Sequence, residues 1–150
     1  PICFQQRVLV LHPGDEEFGK RYQDDWTLCI AKHASKGMGH SLAASMPYCQ
    51  NWDAAVIALA DMPYVQSNTY QAIQQELPSH PLVRPSCQDR VGNPVGFQST
   101  YFKELAELSG DQGARNILKR HEKELHLMAC LDWGVIQDVD TVTALNRPES

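Results

Sequence analysis

Apolar positions fall into short runs broken by turn-forming residues. The longest run, Ala54-Ala55-Val56-Ile57-Ala58-Leu59-Ala60, leads straight into Asp61-Met62-Pro63. An uncharged run of this length predicts a strand buried on both faces, as in the middle of a parallel sheet; periodicity alone also admits a buried helix, but the shortness of the run and Pro63 favour the strand. Earlier strands are predicted over 7–11 and 26–30, separated by a short acidic-led helix from residue 15 to about 24. A small-residue helix follows Gly37-Met38-Gly39, and another is predicted over 68–77 with Ser67 as its N-cap and Pro78 as its stop. Extended segments at 82–85 and 95–97 flank a Gly/Asn/Pro turn. Two helices then begin after Ser99 and at Asp111, strands are predicted over 125–130 and 135–139, and a short helix runs through Leu145. Strands alternating with helices at this spacing predict an α/β sandwich with a mainly parallel sheet, in one domain of 150 residues.

Composition narrows the functions. The net charge of −5 and the presence of only two adjacent basic pairs, Lys20-Arg21 and Lys119-Arg120, argue against a nucleic-acid surface. No apolar run reaches the roughly 20 residues of a membrane span, and Pro1-Ile2-Cys3-Phe4 is not a charged leader before an apolar core. Five scattered cysteines without a Cys-x-x-Cys pair read as reduced thiols in a cytoplasmic protein. The histidines are dispersed as well. His121 and His126, five apart, lack the spacing of two ligands on one helix face, so histidine metal ligands are not expected.

Two stretches carry candidate chemistry. Asp61 stands at the carboxyl end of the central predicted strand, the rim where open α/β sheets bind ligands; a turn residue ahead of Pro63 is the plain alternative. Gly37-Met38-Gly39 running into a helix offers free N–H groups to an anion, with turn-and-cap chemistry as its alternative.

Five motifs then occur in order: Gly37-Met38-Gly39-His40-Ser41-Leu42, Leu59-Ala60-Asp61-Met62-Pro63, Gly92-Asn93-Pro94-Val95-Gly96-Phe97, Gly110-Asp111-Gln112-Gly113-Ala114-Arg115, and Gly134-Val135-Ile136-Gln137-Asp138-Val139-Asp140-Thr141. Singly each is weak. Together, from Val8 to about Leu145, the series resembles the MobA-like NTP transferases, most closely the molybdenum cofactor cytidylyltransferase (MocA-like) branch. Three departures stand out. The family's opening strand and Gly-rich basic loop for the triphosphate, a βαβ-entry segment of roughly thirty residues, have no counterpart, so the chain reads as beginning at the family's second strand. Ala60 and Asn93 stand where the family usually has Gly and often has His, and Val142-Thr143-Ala144 replaces acidic residues. A likeness of Asp138-Val139-Asp140-Thr141 to the nucleophile motif of haloacid-dehalogenase-like phosphatases fails, because the motif is one residue short and lies at the wrong end of the chain.

The resemblance implies a Rossmann-like three-layer sandwich of the nucleotide-diphospho-sugar transferase type. It also implies transfer of CMP from CTP to molybdopterin with release of pyrophosphate, using Mg²⁺. By the same resemblance, Asp61 and Asp138 are the catalytic carboxylates, and with Asp140 they are the metal ligands. Gly39, Ser41, Leu42, Asp61, Met62 and Pro63 are the nucleotide contacts, and Asn93 and Pro94 the acceptor contacts. A molybdoenzyme maturation chaperone is the implied protein partner. Three alternatives stay open: a degenerate non-catalytic relative that binds a cofactor or partner, a transferase using GTP, or one acting on a sugar phosphate. Arg115 is a candidate for an acceptor phosphate, with a helix-surface role as its alternative.

Overall fold

The computed structural model describes residues 3–140. In chain order the elements are β1 (Val8–Leu11), α1 (Glu16–Gly19), β2 (Thr27–Ile30), α2 (Met38–Ser45), β3 (Ala54–Ile57), α3 (Ser67–Glu76), β4 (Leu82–Cys87), β5 (Arg90–Val91), β6 (Val95–Gln98), α4 (Phe102–Ala106), α5 (Arg115–Arg120) and β7 (Leu125–Ala129), with short 3-10 turns between several of them. The terminal helix expected through Leu145 lies outside the described residues. Two compact units result. Within the described residues, one comprises Ala54–Gln98 and 124–140; the other comprises 3–53 and Ser99–Lys123.

In the unit that starts at Ala54, β6 lies between β3 and β4 and runs antiparallel to both, β5 pairs antiparallel with β4, and β7 pairs parallel with β4. The α/β class is as expected. The sheet is mixed rather than mainly parallel, because no helix intervenes between β4 and β6. The chain instead reverses through Gln88 and Asp89, both at positive φ, in a two-residue hairpin that makes the following strands antiparallel. Strand β3 stops at Ile57 and is only partly buried, so the last three residues of the apolar run form the rim. Its partner β6 offers no ladder beyond Val95, since the preceding Pro94 has no N–H to donate. Ile73, Leu77, Val83 and Met128 form the core, with Ala54, Val56 and Ala72 packed against it. At Gly96 an added Cβ would stand 2.9 Å from Ile73 Cγ2, so α3 lies directly on β6 only because that side chain is missing. Among the described residues no helix is long and apolar enough to cross a membrane.

In the other unit β1 and β2 pair in parallel, and Leu11, Cys29, Ala31, Met46, Cys49, Leu105 and Ile117 are buried. All five cysteines are free thiols. Burial, and then the neighbouring Cys29, push the Cys49 thiol up to about 11 from 9.0; burial raises Cys29 too. A thiol whose folded value exceeds its unfolded one favours the fold while protonated and stops doing so as the pH climbs through the folded value. The urea midpoint is therefore expected to hold up to about pH 9 and to fall between about 9 and 11. Urea titrations across that window check this, and Cys49→Ala should flatten the fall; an unchanged slope in that variant would take Cys49 out of it.

Candidate functional site

The segments carrying the acidic residues belong to the unit that starts at Ala54. Beyond β3 the chain turns, with Met62 N–H donating to Leu59 O at 3.3 Å; the Met62 side chain is buried, while Asp61 and Pro63 face solvent. The second segment differs from expectation. Residues 133–136 form a 3-10 turn, and no strand spans 135–139. Asp132 caps this turn by accepting from Gly134 N–H at 2.9 Å. Gly134 presses so closely on Tyr64 that a Cβ would stand 2.1 Å from its carbonyl oxygen, and Val135 O accepts from Asn93 N–H at 2.9 Å. These contacts replace a strand ladder. They carry the chain back past the rim of β3, where Val139 N–H donates to Asp61 O at 2.7 Å.

That bridge sets the two segments side by side. Carboxylate oxygens from Asp61, Asp138 and Asp140, one from each, all lie within 4.8 Å of one another, and all three residues are exposed. The sequence expectation that these residues would be brought together thus matches the geometry, although Asp138 and Asp140 sit on an extended loop and not at a strand end. Three like charges held this close repel one another, and an all-oxygen donor set suits a hard divalent cation such as Mg²⁺ or Mn²⁺. The residues present therefore fit such an ion.

Sequence reasoning missed Asp132. It is 5% exposed, and its carboxylate accepts from Gln66 N–H at 2.9 Å, from the Thr69 hydroxyl at 2.6 Å and from Gly134 N–H. It thereby ties the start of α3 to the turn that leads to Asp138. An Asp two residues ahead of a Gly was the available signal, since short acidic side chains bond backbone two residues on.

The remaining candidates are placed as follows. Gly37 and Gly39 pack against the loop before α5: a Cβ would come within 2.3 Å of Gly110 O at Gly37 and 2.6 Å of Ser109 O at Gly39. The Gly39 N–H donates to Gly110 O at 2.8 Å, so it is already engaged. Ser41 and Leu42 are half-buried on α2. These four residues belong to the unit that contains Ser99–Lys123. Asn93 and Pro94 precede β6 and are joined by a cis peptide bond; Asn93 is half-buried and Pro94 buried. Asp111 does not cap α5. Ala114 holds that position, because the intervening Gly113 at φ 56 delays the helix. Arg115, the first residue of α5, is exposed.

Residues 1–125 match the MobA-like NTP transferase domain family. The chain belongs to that family. Asp61, Asn93 and Pro94 lie inside the matched stretch, and Asp138 and Asp140 beyond it. Among MobA-like relatives, the chain is 31% identical over 123 residues to the purine catabolism protein PucB of Bacillus subtilis (strain 168), covering 80% of this chain and 60% of that protein. The chain thus spans about 60% of that relative's length. Solved structures share the fold. A homologue of Mycobacterium tuberculosis Rv0371c from Mycobacterium sp. strain JC1 superposes with a TM-score of 0.81 at 20% identity, covering 95% of this chain and 72% of the other. A manganese complex of Rv0371c from M. tuberculosis H37Rv gives 0.76 at 24% identity, covering 95% and 76%.

Proposed function

We propose that the protein carrying this chain transfers CMP from CTP to molybdopterin with release of pyrophosphate, dependent on Mg²⁺. The observation that carries the reading is the convergence of Asp61, Asp138 and Asp140. The manganese-bound mycobacterial neighbour adds support for a divalent ion. Asp61 and Asp138 are the principal ligands and Asp140 the auxiliary one. The ion supplies charge neutralisation and orientation of phosphate oxygens.

The chain's own residues do the rest by position. The attacking phosphate oxygen of the acceptor is already anionic, so the site needs no strong base; its obstacle is the approach of two negatively charged groups. The carboxylates are held in place by the Val139–Asp61 backbone bond on one side and by the Asp132 cap on the other. By the family resemblance, Met62 and Pro63 are nucleotide contacts; the same role is implied for Gly39, Ser41 and Leu42. Asn93 and Pro94 contact the acceptor. The free cysteines accord with a cytoplasmic setting, where a molybdoenzyme maturation chaperone would receive the product.

Pyrophosphate release by the native protein, with CTP, GTP and ATP compared with and without molybdopterin and Mg²⁺, tests this. CTP preference with dependence on both additions is the expected result. A preference for GTP, or turnover with a sugar phosphate in place of molybdopterin, would overturn the substrate assignment. Nucleotide binding without any release would make the protein a non-catalytic binding module.

A further inference from the structure

A second cluster shares no residue with the aspartates. Glu76 closes α3, and His80 follows it across a turn in which Ser79 and His80 N–H groups both donate to Glu76 O at 3.0 Å. His126 comes from β7, where it stands in register beside Val83 of β4. The parallel β4–β7 pairing thus delivers to one place two histidines remote in sequence. Their Nε2 atoms lie 3.5 Å (His80) and 3.7 Å (His126) from the same Glu76 oxygen, and the two rings stack at 3.9 Å between centroids and 7° between planes.

These separations are too long for good hydrogen bonds, which fall at about 2.7–3.2 Å. They are close to what a shared ion requires: two donors each about 2.0–2.1 Å from one tetrahedral metal stand roughly 3.3 Å apart. One donor atom from each of the three residues lies within 4.8 Å of the others. The side chains are between 33% and 40% exposed, and ion binding would turn the imidazoles out of the observed stack so that their in-plane lone pairs converge. Glu76 also lines a cleft of about 360 Å³ together with Thr69, Met128 and Asp132, which borders the cluster on its Glu76 side.

Two imidazoles and one carboxylate form a borderline donor set, suited to Zn²⁺ or Co²⁺ and poorly suited to Mg²⁺. We propose that Glu76, His80 and His126 bind one divalent transition-metal ion of the Zn²⁺ class, clipping the end of α3 to β7 and leaving one position for water or a ligand. This site is additional to the aspartate cluster and does not depend on the nucleotidyl-transfer reading.

The test is titration of chelator-treated native protein with Co²⁺, followed by Zn²⁺ competition, in excess Mg²⁺ to saturate the aspartates. One equivalent should bind with the visible absorption of four-coordinate Co²⁺, and Zn²⁺ should displace it. His126→Ala and His80→Ala should each weaken Co²⁺ binding by about 100-fold or more, a ligand mattering at least as much as the groups that orient it. Asp61→Ala should leave this site unchanged. Zn²⁺ should raise the melting temperature of the parent and of Asp61→Ala but not of His126→Ala. Affinity unchanged in both histidine variants, with their circular dichroism intact, would overturn the proposal, as would the absence of any four-coordinate Co²⁺ signal.

Discussion

Asp61→Ala is expected to cut pyrophosphate release by the native protein at least about 100-fold, the scale lost when one preorganised charge-stabilising group is removed from a transfer site. The side chain is exposed, and the backbone carbonyl that accepts from Val139 N–H survives the substitution, so the fold should be untouched. Circular dichroism and melting temperature should match the parent while turnover collapses and the Mg²⁺ requirement rises. Asp138→Ala should resemble it and Asp140→Ala should be milder, because Asp140 is the auxiliary member of the cluster. Asp111→Ala, an exposed change outside the cluster, should be neutral. Normal turnover by Asp61→Ala would remove the carboxylate cluster from the reaction.

Asp132→Ala should do the reverse, harming the fold first. The substitution strands three donors (the Gln66 amide, the Thr69 hydroxyl and the Gly134 amide) around a nearly fully buried carboxylate. Bonds to a charged acceptor contribute about 1.5–3 kcal/mol each, and the losses overlap, so a net cost of about 3 kcal/mol is expected. That corresponds to a drop in melting temperature of roughly 10 °C for a chain of this size. Thr69→Val removes a single partner and should cost about 1–2 kcal/mol. Thermal and urea melts of both variants check the ranking. Equal stability of Asp132→Ala and the parent would mean that the cap is dispensable.

Short apolar runs made several elements legible in advance. Strands β1, β2 and β7 lie within one residue of the apolar runs that mark them, and α3 starts within one residue of its expected start, although Gln66 and not Ser67 holds the N-cap position. Valine and isoleucine between 135 and 139 misled the reading in the other direction. Tertiary contacts at Gly134 and Val135, together with the Asp132 cap, override local preference there. Sheet direction was misjudged because alternation of strands and helices implies crossovers, and the tight turn at Gln88-Asp89 is not one. The aspartate cluster came from the order of motifs, since no periodicity links Asp61 to Asp138. The Glu76–His80–His126 group escaped notice because ligand spacing was sought on a single helix face, whereas a strand pairing creates the group.

The close apposition of Gly37 and Gly39 to Ser109 and Gly110 bears on how a saturation mutagenesis map of this chain should be interpreted. Scored by activity alone, both glycines would come out as intolerant as a catalytic aspartate, since any larger residue forces backbone apart. Scored by soluble yield as well, they should part company with Asp61: a spacer fails in abundance, whereas the proposed metal ligand should fail only in turnover.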